Sequence, residues 1–577
     1  MNGGELIAQV LKNQGVSFLF TLCGGHISPI LVGAKRQGIR VIDVRQEPTA
    51  VFAADAVSRL TGIPGVAAVT AGPGVTNSIT AIKNAQMAQS PLILIGGAPA
   101  TILKGRGALQ DIEQLKLFKT LVKWSASITQ DCDIVPVFEE AFDVSKSGIP
   151  GPVFIECPLD LLYDKELVQE WYIRETGKPK DMIERAKNWY LRRHVDKLFA
   201  CSGKSMDLAK KDAVVPFSID PGNVEYVIHR LEQSTSPVMI IGSQVTLRPA
   251  MIDELSGQLK KFGIPVYLTG MARGLLGPDH PLHFRHHRSA ALKEADLIII
   301  AGMPCDFRLN YGMSLNPKAF YIAINRSKDD LIKNKNPDLG ILADPCTFLY
   351  ELTKSAEIKT DRFDPWIDTL KEREVRRNKH IKETMDARTA YINPLQLCDK
   401  INRAMDEDSI IIGDGGDFIA TASYILSPRG PLTWLDPGPF GTLGVGAGFA
   451  MAAKLVRPDA EVWLLYGDGA SGYGLIEQDS FVRHRLPVIT VIGNDAGWTQ
   501  IARDQVVVLK DDVGTVLKHN HYHMVAEALD AKGYLVDKIE DVDDALKKAK
   551  TVSQKGKPVL INALLGKTDF RKGSISI

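Results

Sequence analysis

Residues 461–495 read EVWLLYGDGASGYGLIEQDSFVRHRLPVITVIGND, and this stretch decides the predicted fold. Two short apolar runs, Glu461–Tyr466 and Pro487–Ile492, are rich in β-branched or aromatic residues and predict buried strands. Between them, Leu475–Arg485 has the pattern of a helix, so the stretch predicts a βαβ unit with parallel strands. Open α/β sheets bind their ligands at the carboxyl ends of such strands.

The carboxyl ends of these two strands carry candidate oxygen ligands. Gly467-Asp468-Gly469 follows the first strand, and Asn494-Asp495 follows the second. Oxygen ligands beside tight glycine turns suit Mg²⁺ that holds a diphosphate. A Gly-Asp-Gly sequence by itself is typical of a plain turn, but the paired spacing favours a ligand site.

Composition indicates an ordinary globular protein. The chain has 577 residues, of which 45% are hydrophobic and 24% charged, and this length predicts about three or four domains. The formal net charge of +1 gives no sign of nucleic-acid binding. The seven cysteines are scattered without a CxxC pair, which predicts reduced thiols and neither a disulfide framework nor a zinc site.

No membrane-spanning or secretory segment is predicted. The sequence has no run of about eighteen apolar residues, and it lacks a basic N-terminal region followed by an apolar one. The default expectation is a soluble, cytoplasmic protein. Association with the endoplasmic reticulum membrane is the alternative if a natural N-terminal anchor is missing from this chain.

Helices and strands alternate through most of the chain, which predicts an α/β protein with three doubly wound parallel-sheet domains. The predicted organisation is 1–165 as the first α/β domain, 166–222 as a charged helical insertion or linker, 223–355 as a central α/β domain, 356–390 as a charged helical connector and 391–577 as the third α/β domain.

The insertion contains one amphipathic helix. Leu191, Val195, Leu198 and Phe199 recur at helical spacing with cationic residues between them. This pattern predicts a linker helix packed on the body of the protein. The alternative is an interfacial helix in peripheral contact with a membrane, with Trp189 at its edge.

Four motifs together resemble the thiamine diphosphate-dependent enzymes of the acetolactate synthase and 2-hydroxyacyl-CoA lyase group. They are Glu47, Gly72–Gly74, Asp436–Gly448 and Gly467–Gly469. The resemblance covers nearly the whole chain except 166–222. The runs Leu435–Phe449 and Thr568–Ser574 resemble the acetolactate synthase-like branch found in animals. The resemblance implies a pyrimidine-binding first domain, a central nucleotide-type domain and a diphosphate-binding third domain.

The resemblance implies a metal site in the third domain. Asp468 is expected to be a Mg²⁺ ligand. The second side-chain ligand in the family is the second Asn of an Asn-Asn pair, and this chain has Asp495 there, after Asn494. The position within this pair favours Asp495 as the second ligand, and Asn494 is the alternative. The main-chain carbonyl of Gly497 is expected to complete the set.

The resemblance also implies the cofactor pocket. Leu443 is expected to force the two cofactor rings into a V, and the carbonyl of Gly441 to accept a hydrogen bond from the 4′-amino group. Backbone N–H groups are expected to cradle the diphosphate. The other expected cofactor-binding positions are Gly25, Gly72, Pro73, Asn77, Gly415, Gly416, Asp417, Phe418, Gly469, Ala470, Asn494 and Trp498.

Glu47 matches the activating glutamate of the family. It is expected to be buried and protonated against N1′ of the pyrimidine, where donating its proton promotes loss of the C2 proton. His26 is expected to exchange a proton with the substrate hydroxyl, although a histidine in a turn is often structural. Gln110 matches a position that lines the cofactor pocket.

A cationic cluster in the central domain suits nucleotide phosphates. It comprises Arg273, Arg285, His286, His287 and Arg288. The resemblance implies ADP or the ADP part of coenzyme A in this domain, with FAD less favoured, and a solvated basic surface is the alternative. Arg571 in the tail is expected to reach the mouth of the active site.

The favoured function is a lyase that cleaves 2-hydroxyacyl-CoA to formyl-CoA and an aldehyde one carbon shorter. Acetolactate synthase chemistry on pyruvate, with FAD bound, is the alternative, and a non-catalytic cofactor-binding scaffold is favoured least because Glu47 and Asp468 are both present. The resemblance further implies a homodimer or tetramer in which each active site uses two chains.

Overall fold

The computed structural model describes residues 1–174, 181–201, 218–356 and 358–572. The chain divides into two compact units, Met1–Ser58 with Ile63–Val214 and Arg59–Gly62 with Val215–Ile577. Among the described residues, no helix combines the length and the apolar character needed to cross a membrane. Three parallel six-stranded sheets confirm the predicted fold class, one in the first unit and two in the second.

The first sheet has the order β2-β1-β3-β4-β6-β5. Its strands are β1 Phe18–Thr21, β2 Arg40–Asp43, β3 Gly65–Val69, β4 Leu92–Ala98, β5 Trp124–Ser127 and β6 Pro152–Pro158. The helices of this part are α1 Gly3–Asn13, α2 Ser28–Arg36, α3 Glu47–Thr61, α4 Pro73–Asn77, α5 Ile79–Met87, α6 Gln114–Phe118, α7 Ile134–Lys146, α8 Lys165–Arg174 and α9 Met182–Leu198. Strand order reverses between β1 and β3, where open sheets bind ligands.

The second sheet has the order β12-β11-β10-β7-β8-β9, which is the strand order of dinucleotide-binding folds. Its strands are β7 Pro237–Ile241, β8 Val266–Leu268, β9 His283–Phe284, β10 Leu297–Ala301, β11 Phe320–Asn325 and β12 Leu339–Leu342. The helices are α10 Pro221–Gln233, α11 Pro249–Leu259, α12 Arg288–Glu294, α13 Lys328–Leu331, α14 Pro345–Ser355 and the connector α15 Asp364–Met385.

The third sheet, β14-β13-β15-β16-β18-β17, repeats the strand order of the first. Its strands are β13 Ile410–Gly413, β14 Trp434–Leu435, β15 Val462–Gly467, β16 Ile489–Asn494, β17 Lys532–Val536 and β18 Val559–Leu564. The helices are α16 Pro394–Ala404, α17 Asp417–Ile425, α18 Val445–Val456, α19 Asp468–Ser471, α20 Gln478–His484, α21 Thr499–Leu509, α22 Tyr522–Ala528 and α23 Val542–Gln554. Gly467 pairs with Gly493, so the two acidic strand ends lie side by side.

The βαβ unit predicted from residues 461–495 is present as β15, α20 and β16. Strands β5, β9 and β12 are among those that the sequence analysis did not identify. Each is a short strand at or near a sheet edge, and the burial of β5 and β12 is incomplete. Such strands lack the continuous apolar run by which buried parallel strands are recognised.

The amphipathic helix of the insertion packs on the first unit, as the first of the two alternatives predicted. In α9, Leu191, Val195 and Leu198 are buried, and the last two join the core beneath the first sheet. Trp189 is 62% exposed, and a peripheral membrane contact there stays a prediction. Residues 175–180 and 202–217 of the predicted insertion, and the end of the 568–574 run, lie outside the described residues.

The prediction that all cysteines are reduced is wrong. Cys132, just before α7, forms a disulfide with Cys201, just after α9, across a sequence separation of 69 residues. The other five cysteines are free. Because the two partners lie far apart in sequence without a recognisable spacing, only the fold brings them together.

Candidate active site

The carboxyl groups of Asp468, which is buried, and Asp495, which is half-buried, form a pair beyond the ends of β15 and β16. Oδ1 of Asp468 accepts a hydrogen bond from the N–H of Gly469 at 2.9 Å, and Oδ2 accepts one from the N–H of Gly497 at 3.0 Å. Burial, and next the charge of Asp495, raises the pKa of Asp468 to about 7. Burial also raises the pKa of Asp495. A divalent cation between the two groups would relieve this repulsion.

Asn494 has a different environment from Asp495. Its amide donates hydrogen bonds to Oδ1 of Asn562 at 3.1 Å and to the carbonyl of Asn520 at 3.3 Å. Asn494, the last residue of β16, is buried in the sheet, whereas Asp495, just beyond the strand, lines the cavity described next. The geometry therefore favours Asp495 over Asn494 beside Asp468.

A cavity of about 900 Å³ lies over the carboxyl edge of the third sheet. A Cβ on Gly415 would lie 2.2 Å from Cδ2 of Leu443, so only glycine allows Leu443 this position. Gly416 and Gly441 have φ of +102° and +65°, a region that favours glycine. The predicted residues that line the cavity are Gly415, Gly416, Asp417, Phe418, Gly441, Leu443, Asp468, Gly469, Ala470, Asp495, Gly497 and Trp498.

Glu47 begins α3 and is 7% exposed. Nδ2 of Asn77 donates a hydrogen bond to its Oε2 at 3.1 Å. Gly72 and Pro73 open α4, which ends at Asn77, and the N–H of Gly72 donates to Oε1 of Gln114 at 3.0 Å. The predicted glycine turn thus positions Asn77 against Glu47, and Gln114, which the sequence did not single out, holds that turn.

His26 and Gln110 are joined through Thr70, at the strand-order reversal of the first sheet. Nδ1 of His26 lies 3.1 Å from the Thr70 hydroxyl, which donates to Oε1 of Gln110 at 3.4 Å. Burial lowers the pKa of His26. A Cβ on Gly25 would meet no other atom, so Gly25 borders open space. Thr70 escaped sequence analysis because a threonine at a strand end has no distinctive pattern.

The sequence of the chain matches the models of one known protein family. The family description "Thiamine pyrophosphate enzyme" matches the chain in three parts, the N-terminal TPP binding domain over residues 1–117, the central domain over 224–352 and the C-terminal TPP binding domain over 414–563. The chain belongs to this family. Each of the three matched parts contains most of one of the three sheets.

Curated relatives of this thiamine pyrophosphate enzyme match along its whole length. It is 49% identical to the 2-hydroxyacyl-CoA lyase 2 of Danio rerio and 46% identical to that of Homo sapiens, and the alignments cover 100% of this chain and 93% and 92% of the relatives. A probable acetolactate synthase of Mycobacterium bovis is 32% identical, over 98% of this chain and 96% of its own.

The thiamine pyrophosphate enzyme has a further acid at the site, the buried Asp414, which the sequence analysis missed. It follows β13 and accepts hydrogen bonds from the N–H groups of Gly444 at 2.9 Å and Gly446 at 2.7 Å. Burial raises its pKa to about 7. Asp414 fastens the turn that carries Leu443 to the edge of the sheet. Its place at the end of an apolar run was the available signal.

Arg285 of the central cationic cluster caps a helix in this enzyme. Neither of the two alternatives for the cluster, a phosphate site or a solvated surface, included this role. The guanidinium of Arg285 donates to the carbonyls of Ser423, Tyr424 and Leu426 at 3.3, 3.0 and 2.7 Å. These carbonyls belong to the last turn of α17 and its C-cap, where they lack helical partners. Arg273 donates to the carbonyl of Ser423 as well, at 3.1 Å.

Proposed function

We propose that this protein is a thiamine diphosphate-dependent carbon–carbon lyase that acts on 2-hydroxyacyl-CoA. The bond between C1 and C2 breaks, the proton of the 2-hydroxyl group is lost, and C1 gains a proton, so the products are formyl-CoA and an aldehyde one carbon shorter. The observation that carries the choice of substrate is full-length identity of 46–49% with 2-hydroxyacyl-CoA lyases, against 32% with acetolactate synthases.

The cavity over the third sheet fits the diphosphate and Mg²⁺. Asp468 and Asp495 supply hard oxygen ligands, and the Gly497 carbonyl completes the proposed set. The glycines at 415 and 416 and the N-terminus of α17 offer N–H groups to an anion. When bound, thiamine diphosphate supplies a nucleophilic carbon and an acceptor for the electrons of the breaking bond. The protein supplies position and charge.

Glu47 is the proposed proton donor to the cofactor ring. Asn77 donates to Oε2 of Glu47, so Oε1 is the oxygen left to carry a proton. A Cβ on Gly74 would lie 3.4 Å from this Oε1, so glycine keeps that oxygen uncrowded. Asn77 therefore orients the carboxyl group, and Glu47 holds the proton.

His26 is the proposed acid–base group for the substrate hydroxyl. A hydroxyl group has one proton, so when Thr70 donates to Gln110, the Nδ1–H of His26 donates to Thr70. Nε2 is then an acceptor. The lowered pKa of His26 keeps the ring neutral at pH 7, which is the form able to take the substrate proton.

Cations beside the cavity support binding of coenzyme A. Arg288, Arg308 and Arg571 line it together with Ser243, which follows β7. Phosphate groups of coenzyme A or of ADP are the proposed partners, and FAD is less favoured. Competition of coenzyme A and ADP for one site, followed by calorimetry, distinguishes a substrate subsite from a separate nucleotide site.

A homodimer or tetramer stays a prediction, in which Glu47 of the partner subunit completes the cofactor site. Light scattering measures the assembly. Mixing Glu47→Gln chains with Asp468→Ala chains tests the shared site, because mixed assemblies would recover activity that neither parent has.

The deciding experiment incubates the protein with Mg²⁺, thiamine diphosphate and a 2-hydroxyacyl-CoA. Formyl-CoA and the shortened aldehyde are the expected products, and Glu47→Gln is expected to abolish them while the cofactor stays bound. Acetolactate from pyruvate, together with a flavin spectrum and no aldehyde, would contradict the proposal and favour the synthase. Activity that survives Glu47→Gln would contradict the role of Glu47.

A further inference from the structure

Helix α21 stands out because none of its residues is buried, although it contains the run Val506-Val507-Val508-Leu509. Val508 is 73% exposed, Leu509 70% and Ile501 49%. Val513, in the loop after the helix, is 73% exposed. Contiguous exposed apolar side chains of this kind mark binding surfaces more often than plain protein surface.

Helical geometry places Ile501 and Val508 on one face of α21, and Val513 follows in the next loop. Ile501 and Val508 are seven residues apart, which is about two turns and about 10 Å along one face. Leu509 adjoins Val508. Gln505, which lies between Ile501 and Val508 in sequence, donates hydrogen bonds to the carbonyls of Asp511 at 3.2 Å and Val513 at 2.9 Å. Its amide is therefore bound to the following loop. We call Ile501, Val508, Leu509 and Val513 the apolar strip.

The apolar strip begins at the candidate active site. Trp498, Thr499, Gln500 and Ile501 line the cavity that contains Asp468 and Asp495, so the first residue of the strip is also a wall of the cavity. From Ile501 the strip continues along α21 to residues that do not line the cavity. An apolar group that emerges from the cavity beside Ile501 would meet the rest of the strip.

We propose that the apolar strip binds the hydrocarbon chain of the acyl-CoA substrate, an inference that rests on the proposed function. The reacting carbons of a 2-hydroxyacyl-CoA belong in the cavity, and its hydrocarbon chain needs an apolar path out of it. Burying one methylene group contributes about 0.8 kcal/mol, so selectivity for long chains follows from the length of the strip.

The surrounding charges favour a substrate chain over a membrane surface as the occupant. Asp504, Asp511 and Asp512 lie on or directly after α21. The basic residues beside them are Lys510 and Arg503, and Arg503 is paired with Asp417. Anionic lipid surfaces attract clusters of basic residues and repel such an acidic border. A single hydrocarbon chain carries no charge, so the acidic border does not repel it.

The test compares a long-chain with a short-chain 2-hydroxyacyl-CoA in the full-length holoenzyme. The double variant Val508→Ser/Leu509→Ser is expected to lower the ratio of kcat/KM for the long chain over the short chain by about tenfold, through a higher KM. The single variant Val508→Ser is expected to give part of this effect. The matched control Val375→Ser, at a 69% exposed valine of α15 outside the cavity lining, is expected to keep the ratio.

Four outcomes would overturn the inference. They are an unchanged ratio, an equal loss with both substrates, a change of assembly mass in the double variant, which would make the strip a contact between copies, and a loss of binding to phospholipid vesicles, which would make it a membrane contact. Failure of the unmodified protein to cleave either substrate would instead contradict the proposed function, so the two failures are distinguishable.

Discussion

The main-chain N–H of Gly497 donates a 3.0 Å hydrogen bond to Oδ2 of Asp468 and so ties together the loops that follow two neighbouring strands. Between Asp495 and Gly497, Ala496 has φ of +55°, an uncommon conformation for a residue with a side chain. This tight turn brings the carboxyl group of Asp495 to the same cavity as Asp468. The geometry of these two carboxyl groups therefore depends on the loop after β16 as much as on the acids themselves.

The first prediction separates the two candidate second ligands. Asp495→Ala is expected to lower the affinity for Mg²⁺ by at least about tenfold, because it removes a carboxylate from the proposed coordination. Asn494→Ala is expected to lower stability, since it deletes bonds to Asn562 and Asn520, but to retain Mg²⁺ binding. Calorimetric titration with Mg²⁺ in the presence of thiamine diphosphate measures both. The reverse pattern would make Asn494 the ligand.

The second prediction concerns Arg285 as a helix-capping residue. Arg285→Met is expected to lower the free energy of unfolding by about 3 kcal/mol, because charged hydrogen bonds to three carbonyl groups are lost. Arg285→Lys is expected to recover only part of it, since an ammonium group lacks the planar fork. Urea titration provides the measurement. If the variant had normal stability but no longer bound nucleotide, Arg285 would be a phosphate ligand and not a helix cap.

The third prediction concerns the disulfide. Denatured but unreduced protein is expected to have five reactive thiols, and Cys201→Ser is expected to lower the free energy of unfolding by about 2–4 kcal/mol. Thiol titration and thermal unfolding measure the two effects, and seven reactive thiols would contradict the pairing.

The fourth prediction is a pH dependence of stability. Burial, and next the charge of Arg285, lowers the pKa of His286 from 6.5 to about 4. The unfolded chain therefore binds a proton at a higher pH than the folded one, and stability that is present above pH 6.5 is lost as the pH falls towards 4.

His286→Asn is expected to reduce this loss by about 1.4 kcal/mol per pH unit within that window. Urea titrations of both proteins at several pH values give the difference. Parallel curves would show that His286 does not titrate between pH 6.5 and 4 in the folded state.

Sequence determined the parts of the site that local patterns carry. Asp468 at the end of an apolar run, the glycines at 415 and 416, and Leu443 within its glycine-rich turn all lie around one cavity, as their motifs predict. Buried parallel strands require continuous apolar runs, and tight turns require glycines. Both features can therefore be recognised in the amino-acid sequence.

Only the tertiary structure decided which side chains share an environment. The fold gives Asn494 and Asp495 different environments and brings Asp414 to the turn at Gly444. It also brings Arg285 to the end of α17 and Cys132 to Cys201. Such contacts depend on distance and direction between side chains that no periodicity in the sequence encodes. The pattern of the stretch from β15 to β16 thus predicts a ligand site, and the fold determines which oxygen atoms line the cavity.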